Sequence, residues 1–345
     1  MKAAFFKTPG QVELREIECP RPREGEVLVR VLACGICGSD VAAYREVEHD
    51  WHRRGHEYSG VVEEVGPGVE KLLPGQLVAG IGSLPCGKCP NCWAGRPKFC
   101  LAPRAGGGDA FAEYVCKGEE FWFPVPDLSP EEAALLEPLT VALEMVRDGA
   151  VSFGSRVLLQ GAGPIGLMAL RLCKLIGAEK VYVSHPATST ARRKLAEEWG
   201  AEVVICPYEE DLVARMRALE PAGVDSVLIT IKPSAGLAEA AQVAAPGGTL
   251  ALIGMEWQPL AQLRLNIDQF HFAKLRLVGS NHNPCSLYYP EAAELLRTKR
   301  IEAQRLVSHR FLLTHIREAF EYLTQRRGEV VKVMVTEGKN ERTGP

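Results

Sequence analysis

The sequence predicts an α/β protein of two domains, a β-rich metal-binding domain and a doubly wound parallel sheet. Three observations predict it: glycine-bounded strand runs in the first third, a strand–helix alternation after Ser155, and a glycine-rich turn at Gly161–Gly166. A chain of 345 residues is long for one ordinary domain and comfortable for two. Hydrophobic residues make up 46%, enough for two cores. Charged residues make up 24% with a net charge of -3, so neither a basic field for nucleic acid nor an acidic tail is present. No run approaches the roughly 20 apolar residues of a membrane span. The opening Met1-Lys2-Ala3-Ala4-Phe5-Phe6-Lys7 lacks the apolar core of a signal peptide, and a soluble, cytoplasmic protein is expected.

In the first third, Val27–Val31 and the glycine-bounded run Gly60–Gly66 are predicted strands, and Pro74-Gly75 is a turn before a strand at Leu77–Ala79. Ser129-Pro130-Glu131-Glu132 is a helix start, with Ser at the N-cap, Pro at the first helical position and acids in the first turn. Beyond Ser155 the rhythm is strand Arg156–Gln160, helix Pro164–Ile176, strand Lys180–Ser184 and helix Thr190–Trp199. It continues with strand Asp225–Thr230, helix Leu237–Ala244 and strand Thr249–Ile253. The tail carries helices at Pro290–Arg297 and Ile316–Arg326 and a strand at Val330–Val335. It is expected to return to the first domain, giving one domain of residues 1–139 and 280–345 and a second of residues 140–279.

Gly161, Gly163, Pro164, Ile165 and Gly166 form a GxGxxG turn that follows a strand and opens a helix, the context in which that motif binds a dinucleotide. The glycines serve the tight turn, the approach of the pyrophosphate and helix–strand packing, and the helix N-terminus offers unpaired N–H groups to phosphate. Where an NAD site carries an acid for the ribose 2′-hydroxyl, this chain has Ser184 and His185, followed by Arg192 and Arg193. An acid would repel a 2′-phosphate, whereas Ser, His and Arg bind one, so NADP(H) is favoured over NAD(H). The alternative is that the arginines are a solvated helix face and NAD binds through other contacts.

Eleven cysteines is a high count, and Cys86-x2-Cys89-x2-Cys92-x7-Cys100 gathers four of them in one loop. Four soft ligands with no open position describe a closed, structural zinc. A second, looser set comprises Cys37, His56 with Glu57, and Glu137. One thiolate, one imidazole and a carboxylate leave a position for water or substrate, as a catalytic zinc requires. Cys34, in Cys34-Gly35-Ile36-Cys37, is expected to be the core thiol of its pair, and Cys19, Cys116, Cys173, Cys206 and Cys285 show no ligand spacing and are expected to be structural, as are His271, His309 and His315.

With these residues in view, the chain resembles the zinc-containing medium-chain alcohol dehydrogenases along nearly its whole length. Gly55-His56-Glu57-x2-Gly60-x5-Gly66-x2-Val69 is similar to their zinc signature, and the four-cysteine lobe and Gly161–Gly166 follow in the expected order. Cys37-Gly38-Ser39-Asp40 and Glu137-Pro138-Leu139 most resemble the polyol (sorbitol-type) and threonine dehydrogenase branch. The resemblance implies a GroES-like catalytic domain and a Rossmann domain, two zinc ions per chain, and a homodimer or homotetramer. It places Cys37, His56 and either Glu57 or Glu137 at the catalytic zinc. Three departures stand out. The relay histidine that many relatives carry after the Ser-Asp pair is missing from Asp40-Val41-Ala42-Ala43-Tyr44, with His49, His52 or water as substitutes. Asp50-Trp51-His52-Arg53-Arg54 replaces an apolar, proline-led run, and Asn281-His282-Asn283 stands where the sorbitol-type pattern has an Arg.

The activity implied is hydride transfer between a secondary alcohol and NAD(P), with Ser39 accepting the hydroxyl proton. His49, His52, Arg53 and Asn281 suggest a polyhydroxylated or acidic substrate, such as a polyol, sugar or cyclitol. L-threonine or a simple secondary alcohol is the alternative substrate. The non-enzyme alternative, an inactive cofactor-binding redox sensor, predicts a damaged catalytic set, yet Cys37, His56, Glu57 and Glu137 are all present. A zinc-finger nucleic-acid binder lacks its electrostatic footprint, because the four-cysteine lobe carries only Lys88, Arg96 and Lys98.

Overall fold

Glu26–Gly35, rich in Val and Leu, forms the central strand of the first unit because it buries Val27, Leu28 and Val29 and then Ala33 and Cys34. A computed structural model describes residues 1–46, 49–256 and 265–337, apart from the side chains of 285 and 286. The expected structural role of Cys285 therefore lies outside the described residues. Contacts divide the chain into Met1–Thr140, His282–Arg327 and Lys332–Pro345 on one side, and Val141–Asn281 with Gly328–Val331 on the other.

The first unit is built on a seven-stranded sheet. Its order runs Trp122–Pro124, Leu77–Gly80, Glu57–Val65, Glu26–Gly35, Lys332–Thr336, Val307–Leu312, and Tyr114–Gly118 also pairs with Glu26–Gly35. The antiparallel register sets Gly35 opposite Glu57 and Cys34 opposite Tyr58, while Met334 faces Gly35 from the other side. Helix Ile316–Gln325 buries Ile316, Ala319, Phe320 and Leu323, one stripe at helical spacing. Phe320 lies 5.0 Å from the ring of Phe6 and 5.9 Å from that of Phe111. The helix start at Ser129 is a reciprocal capping box: Ser129 Oγ accepts from the Glu132 N–H, and the Glu132 carboxylate accepts from the Ser129 N–H at 2.9 Å. Glu131 beside it takes a two-pronged ion pair from Arg310, at 2.5 and 2.7 Å.

The second unit is a six-stranded, all-parallel sheet in the order Val203–Ile205, Lys180–Ser184, Arg156–Gln160, Val224–Ile229, Ala244–Leu252, Arg276–Gly279. This is the doubly wound order that reverses at the first strand. Helix Pro164–Ile176 has the predicted bounds, while Pro233–Val243 begins four residues before the predicted Leu237, at its proline. Strand Val203–Ile205 and helices Leu212–Leu219 and Ile267–Ala273 are additional to the predicted set. Among the described residues, no helix is long and apolar enough to cross a membrane.

Loss of the capping box has a measurable cost. Ser129→Ala leaves the Glu132 N–H without its acceptor and is expected to destabilise the first unit by about 1 kcal/mol. A lowered urea midpoint at unchanged metal content would show it.

Candidate active site and metal centres

Cys37 is the N-cap of helix Gly38–Arg45, where its backbone leaves the strand Glu26–Gly35 and the helix N-terminus favours negative charge. Asp40, fully buried, fixes that turn: its Oδ2 accepts the Cys37 N–H at 3.0 Å. The other oxygen, Oδ1, faces His56 Nδ1 at 3.7 Å and Arg54 at 3.9 Å. With Nδ1 toward a carboxylate, Nε2 is the nitrogen left for a metal, the arrangement by which an outer carboxylate orients a ligating histidine. Burial opposes a charge on His56, but Asp40, Cys37 and Glu137 outweigh it and raise the imidazole well above its ordinary pKa. A cluster that draws a proton so strongly is electrostatically suited to a metal cation.

Cys37, His56 and Glu57 offer ligand atoms that all lie within 4.8 Å of one another. Glu57 is 1% exposed and its Oε2 is ion-paired with Lys332, itself 3% exposed. Glu137 lies outside that close group but lines the same cavity as His56, and burial, followed by the charge of Glu57, raises its carboxyl pKa. Ser39 sits half-buried in the first turn of the helix that Cys37 caps.

A cavity lined by His56 and Glu137 measures about 320 Å³, within the range of small-molecule sites. His56 and Glu137 form one part of its wall, and Ser83, His282 and Asn283 bring polar groups to it. Thr140 orients His282: its hydroxyl donates to the Glu137 carbonyl at 2.6 Å and lies 2.6 Å from His282 Nε2. With the hydroxyl proton spent on the carbonyl, the imidazole donates from Nε2. Ser83 and His282 were missed at the sequence level, since nothing local links them to His56. The histidines singled out as relay substitutes go elsewhere. His49 meets the Ala43 and Asp50 carbonyls, His52 meets the Asp50 carbonyl, and neither lines the cavity. Arg53 donates to the Asp109 carbonyl at 2.9 Å.

The four-cysteine loop is a separate, closed centre. Cys89 and Cys92 sulfurs are 3.5 Å apart, and Cys86–Cys92 and Cys89–Cys100 are each 4.0 Å apart. Four thiolates about 2.3 Å from one ion would be spaced by about 3.8 Å, so the set fits a single tetrahedral zinc. The Leu101 and Cys92 backbone N–H groups lower Cys89 to about 6, which readies a thiolate. Cys34, Cys173 and Cys206 are buried away from this set.

In the second unit, Gly161 has a φ of +104°, and a Cβ at Gly166 would sit 2.0 Å from the Gly161 carbonyl oxygen. A Cβ at Gly163, the N-cap of helix Pro164–Ile176, would meet nothing within 4 Å, which leaves the helix N-terminus open to a phosphate. Ser184 ends the neighbouring strand Lys180–Ser184, and His185 follows it. His185 Nδ1 accepts the Ala162 N–H at 3.1 Å, so its proton sits on Nε2, a buried donor with no protein partner. Burial, with help from Arg192 and Arg193, pushes its pKa down to about 4 and keeps the ring neutral. The arginines have backbone duties: Arg192 donates to the Val330 and Val331 carbonyls, and Arg193 to those of His185 and Val204.

Residues 23–127 match the family described as alcohol dehydrogenase GroES-like domain, and residues 164–298 match zinc-binding dehydrogenase. A protein from Pyrococcus horikoshii named L-threonine 3-dehydrogenase is 34% identical over 345 residues, covering 96% of this chain and 97% of its own. The chain belongs to the zinc-containing medium-chain alcohol dehydrogenases. A sorbitol dehydrogenase from Bacillus subtilis is 30% identical, with 97% of each chain covered. A solved structure from Sinorhizobium meliloti, described as a zinc-binding dehydrogenase bound to NADP, aligns with a TM-score of 0.85 at 32% identity, covering 97% of this chain and 98% of that one. This dehydrogenase therefore has the family's two parts, the GroES-like sheet and the Rossmann sheet.

The glycine turn gives a direct test of the nucleotide site. Gly166→Ala forces the turn apart and is expected to weaken dinucleotide binding by about tenfold or more. Quenching of intrinsic fluorescence on titration with NADP(H) and NAD(H) would measure it.

Proposed function

We propose that this dehydrogenase moves a hydride between a polyhydroxylated secondary alcohol and NADP(H), using one catalytic and one structural zinc per chain. The first contact unit is then the catalytic domain, and the second, the dinucleotide-binding domain. The observation that carries the reading is the joint presence of a Cys37–His56–Glu57 cluster, whose His56 lines a cavity with Glu137, and an open GxGxxG cradle. When bound, catalytic zinc polarises the alcohol oxygen as a Lewis acid.

The chain's own residues supply the rest. Cys37 and His56 hold the metal, with Glu57 and Glu137 as the carboxylates of the set. Asp40 keeps Cys37 and His56 in place through its two oxygens. Ser39 Oγ accepts the substrate's hydroxyl proton and passes its own outward to solvent water. Ser83, His282 and Asn283 give the cavity wall hydrogen-bonding capacity suited to a substrate with several hydroxyl groups. In the nucleotide cradle, Ser184 and the His185 Nε2–H face the ribose end, and the positive field of Arg192 and Arg193 felt at His185 favours a 2′-phosphate. Two second readings have specific support. L-threonine is favoured by the 34% identity to the Pyrococcus horikoshii protein of that name, and NAD(H) by the backbone bonds that occupy Arg192 and Arg193. A homodimer or homotetramer is supported by strand Arg276–Gly279 at the sheet edge and by the exposed Ile267, Phe272 and Leu277.

The experiment is a substrate panel of polyols, inositols, sugars, sugar acids, L-threonine and simple secondary alcohols with each nicotinamide, read by absorbance at the reduced-nicotinamide band. Polyol or sugar turnover with NADP⁺ preferred is the expected result; threonine turnover or NAD⁺ preference selects the corresponding second reading. Metal analysis should find two zinc ions per chain, falling to one in Cys37→Ala with loss of turnover. A Cys37→Ala protein that keeps both zinc ions would defeat the assignment of the catalytic site.

A further inference from the structure

Arg54 directly precedes Gly55-His56-Glu57, at the end of the charged run Asp50-Trp51-His52-Arg53-Arg54, and the catalytic reading leaves it without a task. Its neighbour Arg53 is committed to the Asp109 carbonyl. Arg54 turns inward instead. Its side chain is 23% exposed, its Nε is buried without a hydrogen-bond partner, and its Nη1 lies 3.9 Å from Asp40 Oδ1. That oxygen also lacks a hydrogen-bond partner and faces His56 Nδ1 at 3.7 Å, while Oδ2 accepts the Cys37 N–H. We propose that Arg54 is a positioning residue: its guanidinium fixes the turn of the Asp40 carboxylate, so that one buried group keeps Cys37 and His56 together at ligand spacing. The inference rests on the reading of Cys37 and His56 as ligands of a catalytic zinc.

Three features support this role. The Cys37 N–H grips one carboxylate oxygen alone, and a carboxylate so held can still turn about its Cβ–Cγ bond. A guanidinium beside His56 on Oδ1 narrows that freedom. The backbone, moreover, delivers both side chains to the same oxygen. The Phe111 N–H donates to the Arg54 carbonyl at 3.0 Å and the Ala110 N–H to the Gly55 carbonyl at 3.1 Å. Gly55 between Arg54 and His56 has a φ of +101°, and a Cβ there would sit 2.7 Å from the Phe111 nitrogen, so the bend requires glycine. Lastly, the charge of Arg54 is permanent, and Asp40 is fully buried, so water screens their attraction far less than it screens a surface pair. A solvated arginine would not bury its Nε.

The test measures metal affinity in place of turnover. Cobalt(II) is titrated, in competition with a chromophoric chelator, into full-length enzyme stripped at the catalytic site, and its visible bands report occupancy. Arg54→Met is expected to weaken cobalt binding by about 10- to 100-fold, the usual range for loss of an outer-shell partner. Arg54→Lys keeps the charge and should recover most of that loss. In an Asp40→Asn background, Arg54→Met should cost little more, because the carboxylate it positions is gone. Zinc retained at the four-cysteine centre, which neither residue joins, marks each variant as folded, and Arg54→Leu replaces Arg54→Met should the latter lose it. Unchanged cobalt affinity in Arg54→Met, a loss that Arg54→Lys does not reduce, or losses that multiply with that of Asp40→Asn would overturn the role of Arg54. Wild-type enzyme that takes up no cobalt, or a Cys37→Ala variant that binds it equally well, would instead overturn the underlying catalytic-metal reading, and the inference with it.

Discussion

The candidate catalytic set depends on the pairing of strand Glu26–Gly35 with strand Glu57–Val65 and with Lys332–Thr336. That register places Gly35 opposite Glu57 and beside Met334, so three distant parts of the sequence end at one place. Cys37 follows two residues after the strand, at the start of a helix, and His56 immediately precedes its neighbour. A one-residue slip in the first pairing would turn Glu57 to the other face of the sheet, and one in the second would do the same to Lys332. The candidate metal site is thus a product of β-register before it is a product of side-chain chemistry.

Electrostatics explains why so many buried charges are tolerated there. A thiolate donor and three carboxylates, Asp40, Glu57 and Glu137, crowd around one imidazole and one ammonium. Burial raises Asp40 and Glu137, and proximity to these acids raises His56 against its own burial. Taken singly, such desolvated groups are costly. Together they form a cage whose negative excess a divalent ion can offset. Strain of this kind, concentrated in a site and supported by the surrounding sheet, is what distinguishes a functional cluster from a core.

Much of this was legible in the sequence where the signal was local. The four cysteines lie in one loop, and the glycine turn lies between a strand and a helix that both read clearly, so spacing alone pointed to both places. Strand Val203–Ile205 was harder, because three residues at a sheet edge carry too little periodicity to register. Lys332 left no trace at all: its significance lies in a carboxylate near the other end of the chain, and its own surroundings read as an ordinary strand. His282 was visible only as a departure from a family pattern, until the cavity put it beside Glu137. His49 and His52 show the converse. Their proximity to Gly55-His56-Glu57 in sequence suggested the site, whereas backbone carbonyls meet both ring nitrogens of His49 and Nδ1 of His52.

The backbone duties of Arg192 and Arg193 bear on how this enzyme could be re-engineered. Each guanidinium braces a chain segment, one at Val330 and Val331 and the other at His185 and Val204. Redesign that deletes them would loosen the scaffold, whatever it did to nucleotide preference. Ser184 and His185 are the freer handles, because His185 keeps one ring nitrogen on the Ala162 amide and leaves the other uncommitted. Any replacement at 185 must still accept that amide, so the space of workable designs favours side chains that combine an acceptor on one side with a chosen reader on the other.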